Sequence, residues 1–121
     1  MATAYVILDD GSFVLEYQGT NIDTDHTIGF DAANVKADKE AVLTFDVNPG
    51  NDDDISVTWT LNGTDILNQG FSSSDARAWQ AIVPKNLLKA KGNKLTAKLT
   101  DSDATGSISF GHMVLLYTQT S

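Results

Sequence analysis

Residues 55–67 read ISVTWTLNGTDIL, and this stretch decides the fold class. Ile55, Val57, Trp59 and Leu61 fall on one side of an extended chain, and Ser56, Thr58 and Thr60 on the other. Apolar and polar residues alternating with period two, with β-branched residues on both sides, mark an antiparallel strand with one buried face. Asn62-Gly63 is the preferred two-residue pair for a type I′ hairpin turn, because both positions need positive φ. Thr64 to Leu67 is then the returning strand. The same alternation recurs outward along the chain. Ala41 to Val47 ends at Asn48-Pro49-Gly50-Asn51. Arg77 to Val83 ends at Pro84. Lys94 to Thr100 follows the turn Gly92-Asn93, and Ser107 to Thr118 closes the chain. Gly111 marks a bulge in that last strand, where the apolar face switches. Toward the N-terminus, Ala4 to Leu8 and Phe13 to Tyr17 flank the turn-like Asp9 to Ser12 and read as a hairpin, and Thr27 to Phe30 reads as a short strand. Asp31 to Glu40 reads as a loop, and Lys85 to Ala90 as one helical turn with Leu87 and Leu88 pointing into the core. About nine short strands at regular spacing, with no long helix, make an all-β antiparallel β-sandwich. The whole of 1–121 forms a single domain.

A chain of 121 residues buries a core without staples. It has no cysteine, so disulfides, thiol nucleophiles and cysteine-based zinc sites are excluded. Its formal net charge of −8 argues against nucleic acid and anionic membrane surfaces, which require a basic face. The charge is compatible with a cation or a neutral ligand such as a sugar. The start of the chain lacks a basic n-region and a long apolar h-region, so no signal peptide is expected. No stretch reaches membrane-spanning length.

VTWTLNGTDI at Val57 to Ile66, IVPKNLLKAKGNKLTAKL from Ile82 to Leu99, and GSISFGHMVLLY from Gly106 to Tyr117 resemble the galactose-binding-like jelly-roll family of β-sandwiches. The shared features are an Asn-Gly hairpin, a Pro-led turn with a Leu pair, a Gly-Asn turn, a Leu-rich strand and a long closing strand. The resemblance covers about half the chain and is a packing pattern. It implies a jelly roll of two antiparallel sheets. It also implies a carbohydrate-binding or accessory role, with calcium as a structural ion in many members.

Alternating loops gather Gln18–Asp25, Asn48–Asp54, Asn68–Asp75 and Asp101–Gly106 at one end, which makes that pole acidic. Calcium takes six to eight oxygen ligands, and Asp23, Asp25, Asp52 and Asp54 are the candidates to hold it. Solvated turn carboxylates are the competing reading of the same residues. A sugar ring stacks on an exposed aromatic and bonds to nearby polar groups. Phe71 lies in a polar stretch and is the expected platform, with Asp75, Arg77 and Trp79 beside it; Tyr5, Tyr17 and Tyr117 are other aromatics of that kind. Trp59 is in phase with the core, and Trp79 belongs to the core or its rim. Arg77, the only arginine, reads as a ligand clamp or as the partner of a carboxylate such as Asp75. His26 reads as a surface loop residue that pairs with Asp25 if a metal is bound, and His112 as a packed strand residue.

There is no nucleophile elbow, P-loop, zinc-protease helix or dinucleotide fingerprint, so the chain is expected not to be an enzyme. Two readings follow. The first is a non-catalytic carbohydrate-binding domain, lectin-like or module-like, that takes a glycan or another small neutral ligand. The second is a jelly-roll assembly protein that forms a homo-oligomer. It rests on the apolar residues on both faces of Met113 to Tyr117, a pattern that requires either a strand covered on both sides or a subunit interface.

Overall fold

The alternation at residues 55–61 becomes β5 (Ile55–Leu61), with all four odd positions buried and the three between them half-exposed. The computed structural model describes residues 2–18, 21–23, 25–49, 55–71, 77–99 and 106–120. Among them lie eight further strands: β1 (Ala2–Gln18), β2 (Asn21–Asp23), β3 (Asp25–Phe30), β4 (Ala41–Pro49), β6 (Thr64–Phe71), β7 (Arg77–Val83), β8 (Asn93–Leu99) and β9 (Gly106–Gln119). They form two sheets, one ordered β2-β1-β9-β4-β7 and the other β3-β8-β5-β6. Every neighbouring pair is antiparallel. This is the expected all-β sandwich. The Asn62-Gly63 turn has φ of 52° and 87°, as a type I′ turn requires.

The core lies between the sheets. Trp59 is its centre, fully buried, with ring centroids 4.9 Å from Phe110, 5.2 Å from Phe45 and 6.3 Å from Phe13. The first sheet supplies Phe13, Leu15, Leu43, Phe45, Ile108, Phe110, Met113 and Leu115. The second supplies Ile55, Val57, Trp59, Leu61, Leu95, Ala97 and Leu99. Ring pairs close both flanks. Phe71 meets Trp79 edge-on at 4.9 Å on one side, and Phe13 stacks on His26 at 4.1 Å on the other.

The N-terminal hairpin does not form. β1 runs continuously through Asp9 to Ser12, and both of its halves pair with β9, Ile7 opposite Val114 and Phe13 opposite Phe110. The turn-like residues make an irregularity within the strand, where the Gly11 N–H donates to Asp9 Oδ1 at 2.9 Å. Asp and Gly shape the local backbone, but the 14-residue β9 is long enough to take both halves, and its pairing outcompetes the local one. Asn21–Asp23, within the expected loop Gln18–Asp25, adds an edge strand to β1.

Among the described residues there is no helix. The helical turn expected at Lys85 to Ala90 is an irregular loop, because Asn86 takes a φ of 69°, outside the right-handed helical region. Its leucines still turn inward, Leu88 buried and Leu87 half-buried.

Gly111 does mark the switch. Ile108 and Phe110 point inward before it, and Met113, Leu115 and Tyr117 after it. A Cβ at Gly111 would lie 2.7 Å from the Gly11 carbonyl oxygen and 3.1 Å from Ser12 Cβ. His112 absorbs the bulge with a φ of 49°. The bulge turns its side chain out to solvent, where Nδ1 lies 2.9 Å from Asp46 Oδ2; it is not the packed histidine expected from its position. His26 is likewise no loop residue: it lies half-buried on β3 against Phe13.

Three substitutions test this core. Trp59→Ala should cost about 3–5 kcal/mol in urea unfolding. Trp59→Phe should cost distinctly less, because the buried indole N–H has no hydrogen-bond partner among the described residues and its loss removes an unpaired donor. Gly111→Ala should cost about 2 kcal/mol or more by forcing β1 and β9 apart; an unchanged unfolding midpoint would show that the two backbones are not in contact there.

Candidate functional site

Alternation that buries one side of β5 and β8 presents the other side as a polar surface. Cross-strand register builds two rows over the four-stranded sheet. One runs Thr27, Thr96, Thr60, Asp65, and the next Asp25, Lys98, Thr58, Asn68. The Thr27 and Thr96 hydroxyl oxygens lie 3.0 Å apart. The surface is hollowed into three depressions of about 550, 490 and 380 Å³. The first two share Thr60 and Thr96, and the second and third share Gly92 and Lys94. They therefore form one groove running from Lys98 and Asp65 to Phe30 and Asp31. Among the described residues Lys94, Lys98, Asp25 and Asp65 form no ion pair, so their charged ends are available to a ligand.

One end of the groove is shaped by a buried asparagine. Asn93 is fully buried. Its Oδ1 accepts from the Lys89 N–H at 2.8 Å and from Asn62 Nδ2 at 3.0 Å. Its Nδ2 donates to the Lys89 carbonyl at 2.7 Å and to the Phe30 carbonyl at 3.3 Å. All four hydrogen-bonding positions of the amide are used. Asn62 extends the network, donating to the Leu87 carbonyl at 2.8 Å and accepting from the Lys94 N–H at 2.8 Å. The Asn-Gly hairpin, the loop after β7 and the end of β3 are thereby tied together beneath the groove. Read from sequence, Asn93 is a turn residue. Turn propensity describes its backbone but does not show that its amide would be enclosed by three segments.

The site residues expected at the other pole fare differently. Phe71 is fully buried and is no exposed platform: β6 continues through it, and its register opposite Ile55 turns it inward. Trp79 is half-buried against it, and the exposed Arg77 guanidinium lies 4.7 Å from the Trp79 ring centroid. These three form one stack at the edge of the sandwich. Asp75, Asp52 and Asp54 lie outside the described residues, as does the Asp23 side chain. Asp25 is exposed and faces the groove side of β3, opposite Lys98. Among the described residues no three His, Asp or Glu side chains converge as a metal site would require. The strand ends that lead into residues 50–54, 72–76 and 100–105 do lie at one pole, since Val47 is opposite Arg77, Ile55 opposite Phe71 and Val57 opposite Leu99. Of the other aromatics, Tyr117 is buried and its hydroxyl donates to the Ala33 carbonyl at 3.1 Å. Tyr5 is exposed, but on the outer face of the opposite sheet.

Among the described residues the carboxylates along the groove are widely spaced. Asp25 and Asp31 lie on the β3 side and Asp65 on β6, three strand spacings away, or roughly 14 Å. Paired carboxylates of glycosidases sit within about 10 Å of each other. Elsewhere, the His112 ring bonds to Asp46, and among the described residues no hydroxyl completes a triad with it.

No protein-family model and no curated protein matches the chain. Solved structures do. A family 35 carbohydrate binding module from Clostridium thermocellum superposes with a TM-score of 0.53 at 14% identity, over 95% of this chain and 98% of that one. CBM29_1, a family 29 carbohydrate binding module from Piromyces equi, gives 0.60 at 8% identity, over 98% and 93%. The chain shares its jelly-roll β-sandwich fold with these modules. Dimeric latent PorU from Porphyromonas gingivalis contains a similar unit, with a TM-score of 0.61 at 17% identity; the match covers 96% of this chain and 13% of PorU. At these identities the likeness is one of fold, and the jelly roll by itself assigns no ligand.

The asparagine network yields a direct test. Asn93→Leu should lower unfolding free energy by about 2–4 kcal/mol, because it strands the Lys89 N–H and carbonyl and the Asn62 amide. A loss under about 0.5 kcal/mol would show that the loop is held by its leucines alone.

Proposed function

We propose that this chain is a non-catalytic carbohydrate-binding domain whose saccharide lies in the groove over the four-stranded sheet. The observation that carries the reading is the groove itself. It spans adjacent strands of one sheet and offers hydroxyl, amide, ammonium and carboxylate groups spaced by the sheet. Sugar hydroxyls both donate and accept, and such a mixed array satisfies both roles. The groove's lysines and aspartates balance one another, which suits a neutral saccharide better than a polyanion. Its outward rows hold no aromatic ring, and Phe30 lies half-buried at one end. Hydrogen bonding therefore supplies most of the affinity. The fold likeness to carbohydrate binding modules supports the same reading.

Calcium enters this reading as a brace for the acidic pole, held by Asp23, Asp25, Asp52 and Asp54. Its test is thermal unfolding with calcium and with a chelator. A bound ion raises the melting temperature in calcium; identical curves remove the ion from the proposal.

The ligand test is a screen against neutral soluble polysaccharides and a glycan array, followed by calorimetry. Thr58→Val with Thr96→Val should weaken binding about tenfold or more, at roughly 1 kcal/mol per lost hydrogen bond. Tyr5→Thr, on the far face, should leave it within about twofold. No retained glycan, or binding indifferent to the threonine pair, would remove the groove from consideration.

A further inference from the structure

On the far side of the sandwich the five-stranded sheet presents an outer surface of opposite character. Cross-strand register sets Tyr5, Leu116, Val42 and Ile82 in one row over four adjacent strands, with Ile7 and Val114 beside them. Tyr5 is 67% exposed, Ile7 55%, Ile82 54% and Leu116 38%. The residues that border these rows along the strands, Thr3, Thr44, Gln80 and Thr118, are uncharged. The first carboxylates beyond these rows are Asp9 on β1, which accepts from the Gly11 N–H, and Asp46 on β4, which bonds to His112. A chain with a formal charge of −8 thus keeps the central rows of this sheet face uncharged and rich in large apolar groups.

We propose that this face binds the same face of a second copy, forming a two-fold dimer by sheet-on-sheet packing. Three observations select a second copy as the occupant. First, the size fits. The strands of this sheet hold about 50 residues, which at roughly 3.3 Å rise and 4.8 Å spacing make a face of about 800 Å², the area each partner contributes to a standard stable interface. Second, the anatomy fits. An apolar centre of roughly 200 Å² is bordered by Thr3, Thr44, Gln80 and Thr118 and, beyond them, by Asp9 and the Asp46–His112 pair, a polar rim around an apolar middle. Third, the charge fits. Two chains this acidic repel each other through most of their surfaces, and the central rows of this face let them meet without setting carboxylate against carboxylate. A two-fold contact matches the patch with itself, so no second complementary surface is needed. The groove lies on the opposite sheet and stays open in such a dimer, so two saccharide sites face outward.

Sedimentation equilibrium of the full chain over a wide concentration range tests the proposal. The wild type should show twice the chain mass. Ile82→Lys places a charge in the apolar row, and Tyr5→Thr removes the largest contact while keeping a strand-forming residue. Ile82→Lys should raise the dimer dissociation constant about 100-fold or more, and Tyr5→Thr about tenfold. Far-UV circular dichroism should show both variants folded. A wild type that stays monomeric throughout overturns the proposal, as does a dimer that both variants leave intact, which would point to pairing through sheet edges. A monomer retained by neutral phosphatidylcholine vesicles also overturns it, since the face would then serve a lipid surface. None of these outcomes depends on whether the groove binds sugar.

Discussion

The structure depends on one constraint, that β9 must stay apolar toward the core over its whole length while pairing with a neighbour on each side. A strand of period two cannot keep that pattern if its register slips by a single residue. The bulge at Gly111 and His112 provides that slip where it is needed. It carries the inward face from Ile108 and Phe110 to Met113, Leu115 and Tyr117. The irregularities in β1 opposite and in the pairing with β4 lie at the same level. The close approach of Gly111 to Gly11 is the steric expression of this fit, because only a residue without a side chain lets two irregular strands meet there. The Trp59 cluster rests on it, since Phe110 lies just before the bulge and packs against that ring.

With the core assigned, the two outer faces diverge. The outer face of the four-stranded sheet is polar and hollow, and the Asn62–Asn93 network holds one end of it in shape. The outer face of the five-stranded sheet is uncharged and apolar in its central rows around Tyr5 and Leu116. A β-sandwich has two such faces, and each can be specialised without disturbing the core, because alternate residues of every strand serve the two sides separately. The ligand reading and the assembly reading therefore do not compete. Each takes a different sheet of the same molecule.

How much was legible differs by level. The strands from Ala41 onward follow from alternation and turn chemistry, and so do the hairpin at Asn62-Gly63 and the bulge at Gly111. The N-terminal hairpin was misread because Asp9 to Ser12 carries the residues of a turn, and local residues do not reveal that a distant strand offers both halves a better partner. Phe71 was misread because polar neighbours suggested a loop, whereas the strand extends through them and register turns the ring inward. Thr58 and Thr60 were legible as outward-facing, but nothing local showed that Thr96, Lys98 and Lys94 would lie beside them.

The amino-acid sequence by itself determined the class of fold and the inner and outer sides of most strands. Those properties depend on the period of apolar residues and on φ preferences at turns, which are local. Tertiary structure decided which strands became neighbours and therefore what each outer face carries. It set the threonine rows of the groove, the enclosure of Asn93 and the apolar row from Tyr5 to Ile82. These depend on register between segments more than a hundred residues apart, and register is settled by the packing of the whole core.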